Sequence, residues 1–82
     1  MHRILIVDDE DHLRLLYRRE LEEIGYEVVE AATAEEGIRA FENERPDLVV
    51  LDIRMPGMNG LEAMARILDR DRRIPIVLNT AF

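Results

Sequence analysis

Three unbroken apolar runs and one weaker one divide the chain, and amphipathic stretches fill the gaps between them. Ile4-Leu5-Ile6-Val7 stops at Asp8-Asp9-Glu10-Asp11, and Leu48-Val49-Val50-Leu51 stops at Asp52. Ile76-Val77-Leu78 follows Pro75, and Tyr26–Ala31 is interrupted by Glu27 and Glu30. Short continuous runs of this kind suit strands buried on both faces, as in a parallel sheet covered by helices. Turn signals flank the Leu48–Leu51 run: Pro46-Asp47 before it and Arg54-Met55-Pro56-Gly57 after it. They favour a strand over a buried helix segment. The glutamates of the Tyr26–Ala31 run suggest an edge strand with charge facing water.

Helical spacing governs the gaps. From about His12 to Ile24, Leu13, Leu16, Tyr17, Leu21 and Ile24 fall on one face, with Leu15 off the stripe. Arg14, Arg18, Arg19, Glu22 and Glu23 mostly cover the other side. Asp9 or Asp11 is placed to cap the start, and Gly25 to end the helix in a left-handed conformation. Thr33-Ala34-Glu35-Glu36 is a capping box opening a second helix to about Glu44, which buries Ala34, Ile38 and Phe41. Gly37 inside it costs about 1 kcal/mol relative to Ala unless a close helix–sheet contact needs the space. Asn59 caps a third helix, with Glu62 in position to reach back and Leu61, Met64, Ala65 and Leu68 as its stripe. Asp69–Arg73 reads as a polar connection. Strand–helix three times and then a strand predicts an α/β fold with a parallel sheet.

Composition narrows the function. The 82 residues hold at most one domain, with 48% hydrophobic and 35% charged residues and a formal net charge of −7. No basic stripe is available for direct nucleic-acid binding or for an anionic membrane surface. No run approaches a membrane span, and Met1-His2-Arg3 with four apolar residues is too short for a signal peptide. The absence of Cys excludes disulfides and thiolate metal sites and fits a reducing compartment, so the expected location is the cytoplasm. His2 and His12 read as solvated surface residues.

The chemistry gathers at one edge. Parallel strands bring their carboxyl ends together, so Asp8 and Asp9 from the first strand meet Asp52 from the third, with Thr80 supplied by the fourth. Three close carboxylates repel one another unless protons or a cation compensate them. Oxygen donors without His or Cys favour a hard divalent ion, Mg²⁺ or Mn²⁺. Asp52 beside such an ion can act as a nucleophile toward a phosphoryl group, and the Thr80 hydroxyl can donate to a phosphoryl oxygen. Glycine-rich dinucleotide and P-loop signatures are absent.

These residues carry a resemblance. The acidic pair after the first strand, Asp52 with Met55-Pro56-Gly57-Met58-Asn59-Gly60 behind it, and Thr80-Ala81 after the fourth strand together resemble the receiver domain of a two-component response regulator, of the CheY-like superfamily. All 82 residues fall inside the pattern. The resemblance implies a flavodoxin-like sheet of order 2-1-3-4-5. It implies phosphorelay signal transduction, with Asp52 accepting phosphate from a sensor histidine kinase or phosphotransfer protein. It implies Mg²⁺ held by Asp9, Asp52 and the backbone carbonyl of Arg54, with Asp8 acting through a metal-bound water. Thr80 would bind the phosphoryl group and couple it to a conformational change. A receiver assists its own phosphotransfer and dephosphorylation and is not an enzyme in the usual sense.

The chain departs from that pattern. Against five strands and five helices it offers four and three, lacking helix four, strand five and helix five. It contains no Lys, and the family uses a lysine to pair with the phosphoryl group. Impaired phosphorylation and homo-oligomerisation through surfaces left open by truncation are therefore expected. Bare apolar area is expected on Ile4, Ile6 or the Leu13–Ile24 helix. The alternative reading is a non-switching, dimerising or interaction fragment of the same fold. A metal-dependent phosphatase with an Asp nucleophile is disfavoured, because Asp52-Ile53-Arg54 lacks the Asp-x-Asp of that class.

Overall fold

The computed structural model describes residues 2–55, 57 and 59–79. The elements are β1 (Arg3–Val7), α1 (Asp11–Ile24), β2 (Glu27–Ala31), α2 (Ala34–Glu44), β3 (Leu48–Asp52), α3 (Gly60–Arg70) and β4 (Ile76–Asn79). The four strands form one sheet in the order β2-β1-β3-β4, and every pairing is parallel. The parallel sheet is the one that the alternation predicts, and its order is the flavodoxin-like one that the receiver resemblance implies.

Strand periodicity sorts the sheet into two faces. Leu5 pairs with Val49 and Val7 with Leu51, and these four residues are fully buried. Ala34, Ile38 and Phe41 of α2 and Ala63 and Ile67 of α3 close over them to make the core. Gly37 lets α2 come close: a Cβ there would stand 2.8 Å from a Val7 methyl. The opposite face carries Ile4, Ile6, Val28, Glu30, Val50 and Val77 in register, and α1 lies across it.

Several local expectations shift. The N-cap of α1 is Glu10, with no side-chain cap bond, rather than Asp9 or Asp11. Asp8 Oδ1 accepts the Glu10 N–H at 2.9 Å, and Asp11 turns to Arg14 instead. In α2, Thr33 Oγ1 accepts from the Glu36 N–H, while the Glu36 carboxylate reaches one residue further back, to Ala32 N. The buried stripe of α3 is Gly60, Ala63 and Ile67 with Met64 and Leu68 beside it. Leu61, expected inside, is 54% exposed, and Ala65 is exposed too. Helix α3 also extends through Asp69 and Arg70, which the sequence assigns to a connection.

Bare apolar surface falls partly where expected. Ile4 and Ile6 are buried, because α1 covers them; Leu16 and Ile24 of α1 and Val77 and Leu78 of β4 are exposed instead. A shallow, mainly apolar groove runs between Tyr17 and Leu21 of α1 and Val50, Val77 and Leu78 of the sheet. Each large side chain left wet forgoes about 1.5–3 kcal/mol. Among the described residues, no helix is long and apolar enough to cross a membrane.

Candidate functional site

The site is assembled by two neighbouring strands ending at the same level. Val7 pairs with Leu51, so the next residues, Asp8 just past β1 and Asp52 at the end of β3, stand side by side. One carboxylate oxygen each from Asp8, Asp9 and Asp52 lies within 4.8 Å of the others. Asp8 is 2% exposed, Asp52 half-buried and Asp9 exposed, so the cluster opens from the sheet toward solvent. Burial pushes the Asp8 carboxyl above its usual range. The Glu10 N–H bonded to it works in the opposite sense, and the charges of Asp52, Asp9 and Glu10 push it up further.

Backbone groups hold the loops around these acids. Asp8 N–H donates to Ala31 O at 3.1 Å, which extends the β1–β2 ladder by one residue. Asp52 Oδ1 accepts the Arg54 N–H at 2.9 Å in a tight Asx turn. That turn brings the Arg54 backbone N–H, two residues on, against the Asp52 carboxylate. Gly60 N–H donates to Ile53 O at 3.3 Å, and Ile53 N–H to Asn79 O at 3.4 Å. Asn79 pairs with Asp52 in register, and its side-chain amide donates to Tyr17 Oη at 3.2 Å. The carboxyl ends of β1, β3 and β4 thus share one rim. Thr80, the expected phosphoryl-binding residue, lies outside the described residues, as do Pro56, Met58 and Ala81.

The donor set is chemically coherent. Three carboxylates and neighbouring backbone carbonyls offer only oxygen, the preference of hard divalent cations. Opposite ligands of an octahedral Mg²⁺ stand roughly 4.2 Å apart, from metal–oxygen distances of about 2.1 Å. A 4.8 Å cluster suits such an ion with small adjustment, or with one acid acting through water.

The profile of the response regulator receiver domain matches residues 4–82. The chain belongs to the receiver family. It is 38% identical over 79 residues to the alkaline phosphatase synthesis transcriptional regulatory protein PhoP of Bacillus subtilis, covering 96% of this chain and 33% of that protein. It is 38% identical over 80 residues to sporulation initiation phosphotransferase F of the same organism, covering 98% of this chain and 64% of that one. The receiver spans about a third of the first of these relatives. Its fold is similar to a solved structure of the Thermotoga maritima response regulator TrrA in complex with Mg²⁺ and BeF, with a TM-score of 0.95 and 45% identity. That match covers all of this chain and 71% of TrrA. TrrA solved in complex with the histidine kinase ThkA matches with a TM-score of 0.93.

The sequence reading missed two residues beside the site of this receiver. Arg14, assigned to the solvent side of α1, has a side chain only 15% exposed and donates from Nη1 to the Asp8 carbonyl at 2.7 Å. Glu30, expected to face water, lies under α1 and pairs with both Arg14 and Arg18. The available signal was register: Glu30 pairs with Ile6 on the α1 face, and a carboxylate there calls for a cation from the helix above.

Proposed function

We propose that this receiver is the phosphoacceptor module of a two-component phosphorelay, with Asp52 as the residue modified. The observation that carries the reading is the cluster of Asp8, Asp9 and Asp52 at the carboxyl ends of β1 and β3. In this reading Asp9, Asp52 and the Arg54 carbonyl hold Mg²⁺, or Mn²⁺, directly, and Asp8 acts through a water. When bound, the cation supplies positive charge against which carboxylate and phosphoryl oxygens can approach.

The protein's own groups do the rest. A carboxylate oxygen of Asp52 attacks phosphorus of a phosphohistidine on a sensor kinase or phosphotransfer protein. The P–N bond breaks, its electron pair stays on the imidazole nitrogen, and Asp52 becomes an acyl phosphate. The Arg54 N–H donates to Asp52 Oδ1 at 2.9 Å and orients the carboxylate. Thr80 is assigned to the transferred phosphoryl group. The module promotes its own modification and hydrolysis and is not a turnover enzyme, and its place of action is the cytoplasm. ThkA bound to TrrA supports a histidine kinase as the donor's chemical class.

Phosphotransfer from a small phosphodonor with Mg²⁺ tests this reading, with intact mass reporting the label. One labile phosphoryl group is expected on the wild type and none on Asp52→Asn. Equal labelling of Asp52→Asn would remove Asp52 from the role. A second reading is a receiver fold that associates without switching. The exposed Leu16, Ile24, Val77 and Leu78 favour it.

A further inference from the structure

We infer that Arg14 is a positioning residue for the acidic site, acting through the Asp8 carbonyl to set the direction of Asp9. The inference rests on the reading of Asp8, Asp9 and Asp52 as a shared cation site. The Arg14 guanidinium spends its fork on three segments of the chain. Nη1 donates to the carbonyl oxygen of Asp8 at 2.7 Å, Nε to Glu30 Oε1 on β2 at 3.1 Å, and Nη2 to Asp11 Oδ1 in the first turn of α1 at 2.7 Å. Arg18 Nη1 holds the other oxygen of Glu30 at 2.7 Å, so the anchor on β2 is itself fixed.

The Asp8 backbone is therefore tied on both sides. Its N–H is committed to Ala31 O, and its carbonyl to Arg14. The peptide joining Asp8 to Asp9 is planar, so fixing the Asp8 oxygen fixes the plane in which the chain enters Asp9. Asp9 is the most exposed of the three acids and has the largest freedom to turn away from the other two. The Arg14 charge is met by Asp11 and Glu30, so its effect on the site is geometric and does not depend on placing a cation beside the metal. A lysine could not reproduce it, because one ammonium cannot present a planar fork to three separated acceptors.

Mg²⁺ titration by calorimetry of the wild type, Arg14→Gln, Arg14→Lys and Arg18→Gln, with amide hydrogen exchange on the metal-free proteins, tests the inference. Arg14→Gln and Arg14→Lys are expected to raise the Mg²⁺ Kd roughly tenfold, the size seen when groups supporting metal ligands are removed. Arg18→Gln strips the same Glu30 of a partner but touches nothing in the Asp8 loop, and its Kd should stay within about twofold of wild type. In the metal-free state the Glu10 N–H, bonded to Asp8 Oδ1, should exchange faster in Arg14→Gln while the core Leu51 N–H does not. Unchanged affinity in Arg14→Gln, full rescue by Arg14→Lys, or equal weakening by Arg18→Gln would overturn the inference. A wild type that binds no Mg²⁺ would overturn the site reading, and Glu10 exchange would then decide whether Arg14 orders the loop.

Discussion

Gly60 sits against the backbone that carries Asp52. A Cβ on Gly60 would stand 2.6 Å from the Asp52 carbonyl oxygen and 2.3 Å from Ile53 Cα. Both contacts are with backbone, so no side-chain rotation relieves them. Gly60→Ala should cost about 2–3 kcal/mol, a drop on the order of 10–20 °C in Tm, and should also weaken cation binding by displacing the Asp52 loop. Gly25 is the control: its φ of +117° strains an alanine, but nothing lies within 4 Å of the added carbon. Gly25→Ala should cost about 1–2 kcal/mol and leave cation affinity alone. Thermal melts and Mg²⁺ titrations of the two variants separate the effects; equal loss of affinity in both would contradict this account.

The same glycine lies on the buried face of α3 with Ala63 and Ile67. Ile67 is fully buried and Leu61 is 54% exposed, although the two residues are chemically similar. Ile67→Ala should lose about 2–5 kcal/mol, and Leu61→Ala about 0.5 kcal/mol or less. Urea unfolding measures both. Comparable losses would mean that α3 is rotated from the orientation described.

Asp8 makes stability depend on pH in a definite sense. Burial first, and then the Asp52, Asp9 and Glu10 charges, raise its folded-state carboxyl pKa above the unfolded one. Between the two values the folded state binds more protons than the unfolded state, so stability falls as pH rises through that window. Above it, charged Asp8 is a fixed cost. Asp8→Asn should therefore raise Tm at neutral pH in metal-free buffer. A gain of roughly 1 kcal/mol would read as about 4–8 °C. The gain should vanish below the ordinary carboxylate range, where the wild-type group is neutral in both states. A Tm difference that does not change with pH would count against it.

Exposed apolar residues on α1 and β4 bear on assembly. Val77 is 51% exposed on the strand at one edge of the sheet, beside Leu78 and facing the groove under Tyr17 and Leu21. An uncovered apolar strand edge is a ready surface for association. Light scattering on the 82-residue chain at tens of micromolar should report oligomers, and Val77→Lys together with Leu78→Lys should shift them toward monomer. A well-folded wild-type monomer at that concentration would refute association through this surface.

The parts of this architecture that the sequence revealed are those set by local pattern. Ile4–Val7 and Leu48–Leu51 are apolar on both faces and end in acids, so strand identity and the shared rim of Asp8, Asp9 and Asp52 follow from alternation with helices. Thr33 and Asn59 cap their helices as short-range chemistry requires. What local pattern missed depends on contacts between distant segments. Two stripes compete on α3, one through Leu61 and Leu68 and one through Ala63 and Ile67. Gly60, on the buried stripe, adds nothing to a hydrophobic pattern, yet a side chain there would meet the Ile53 backbone. Arg14 and Glu30 are 16 residues apart and look like solvated charges until register places Glu30 beneath α1.

The central claim is that Asp8, Asp9 and Asp52 hold one divalent cation together. Calorimetric titration of the metal-free receiver with Mg²⁺ at neutral pH tests it most directly, alongside Asp9→Asn and Asp52→Asn. The account predicts one saturable site in the wild type, with affinity strongly reduced in each variant and proton competition weakening it as pH falls. A wild type that binds no Mg²⁺, or variants that bind it as tightly as the wild type, would contradict it.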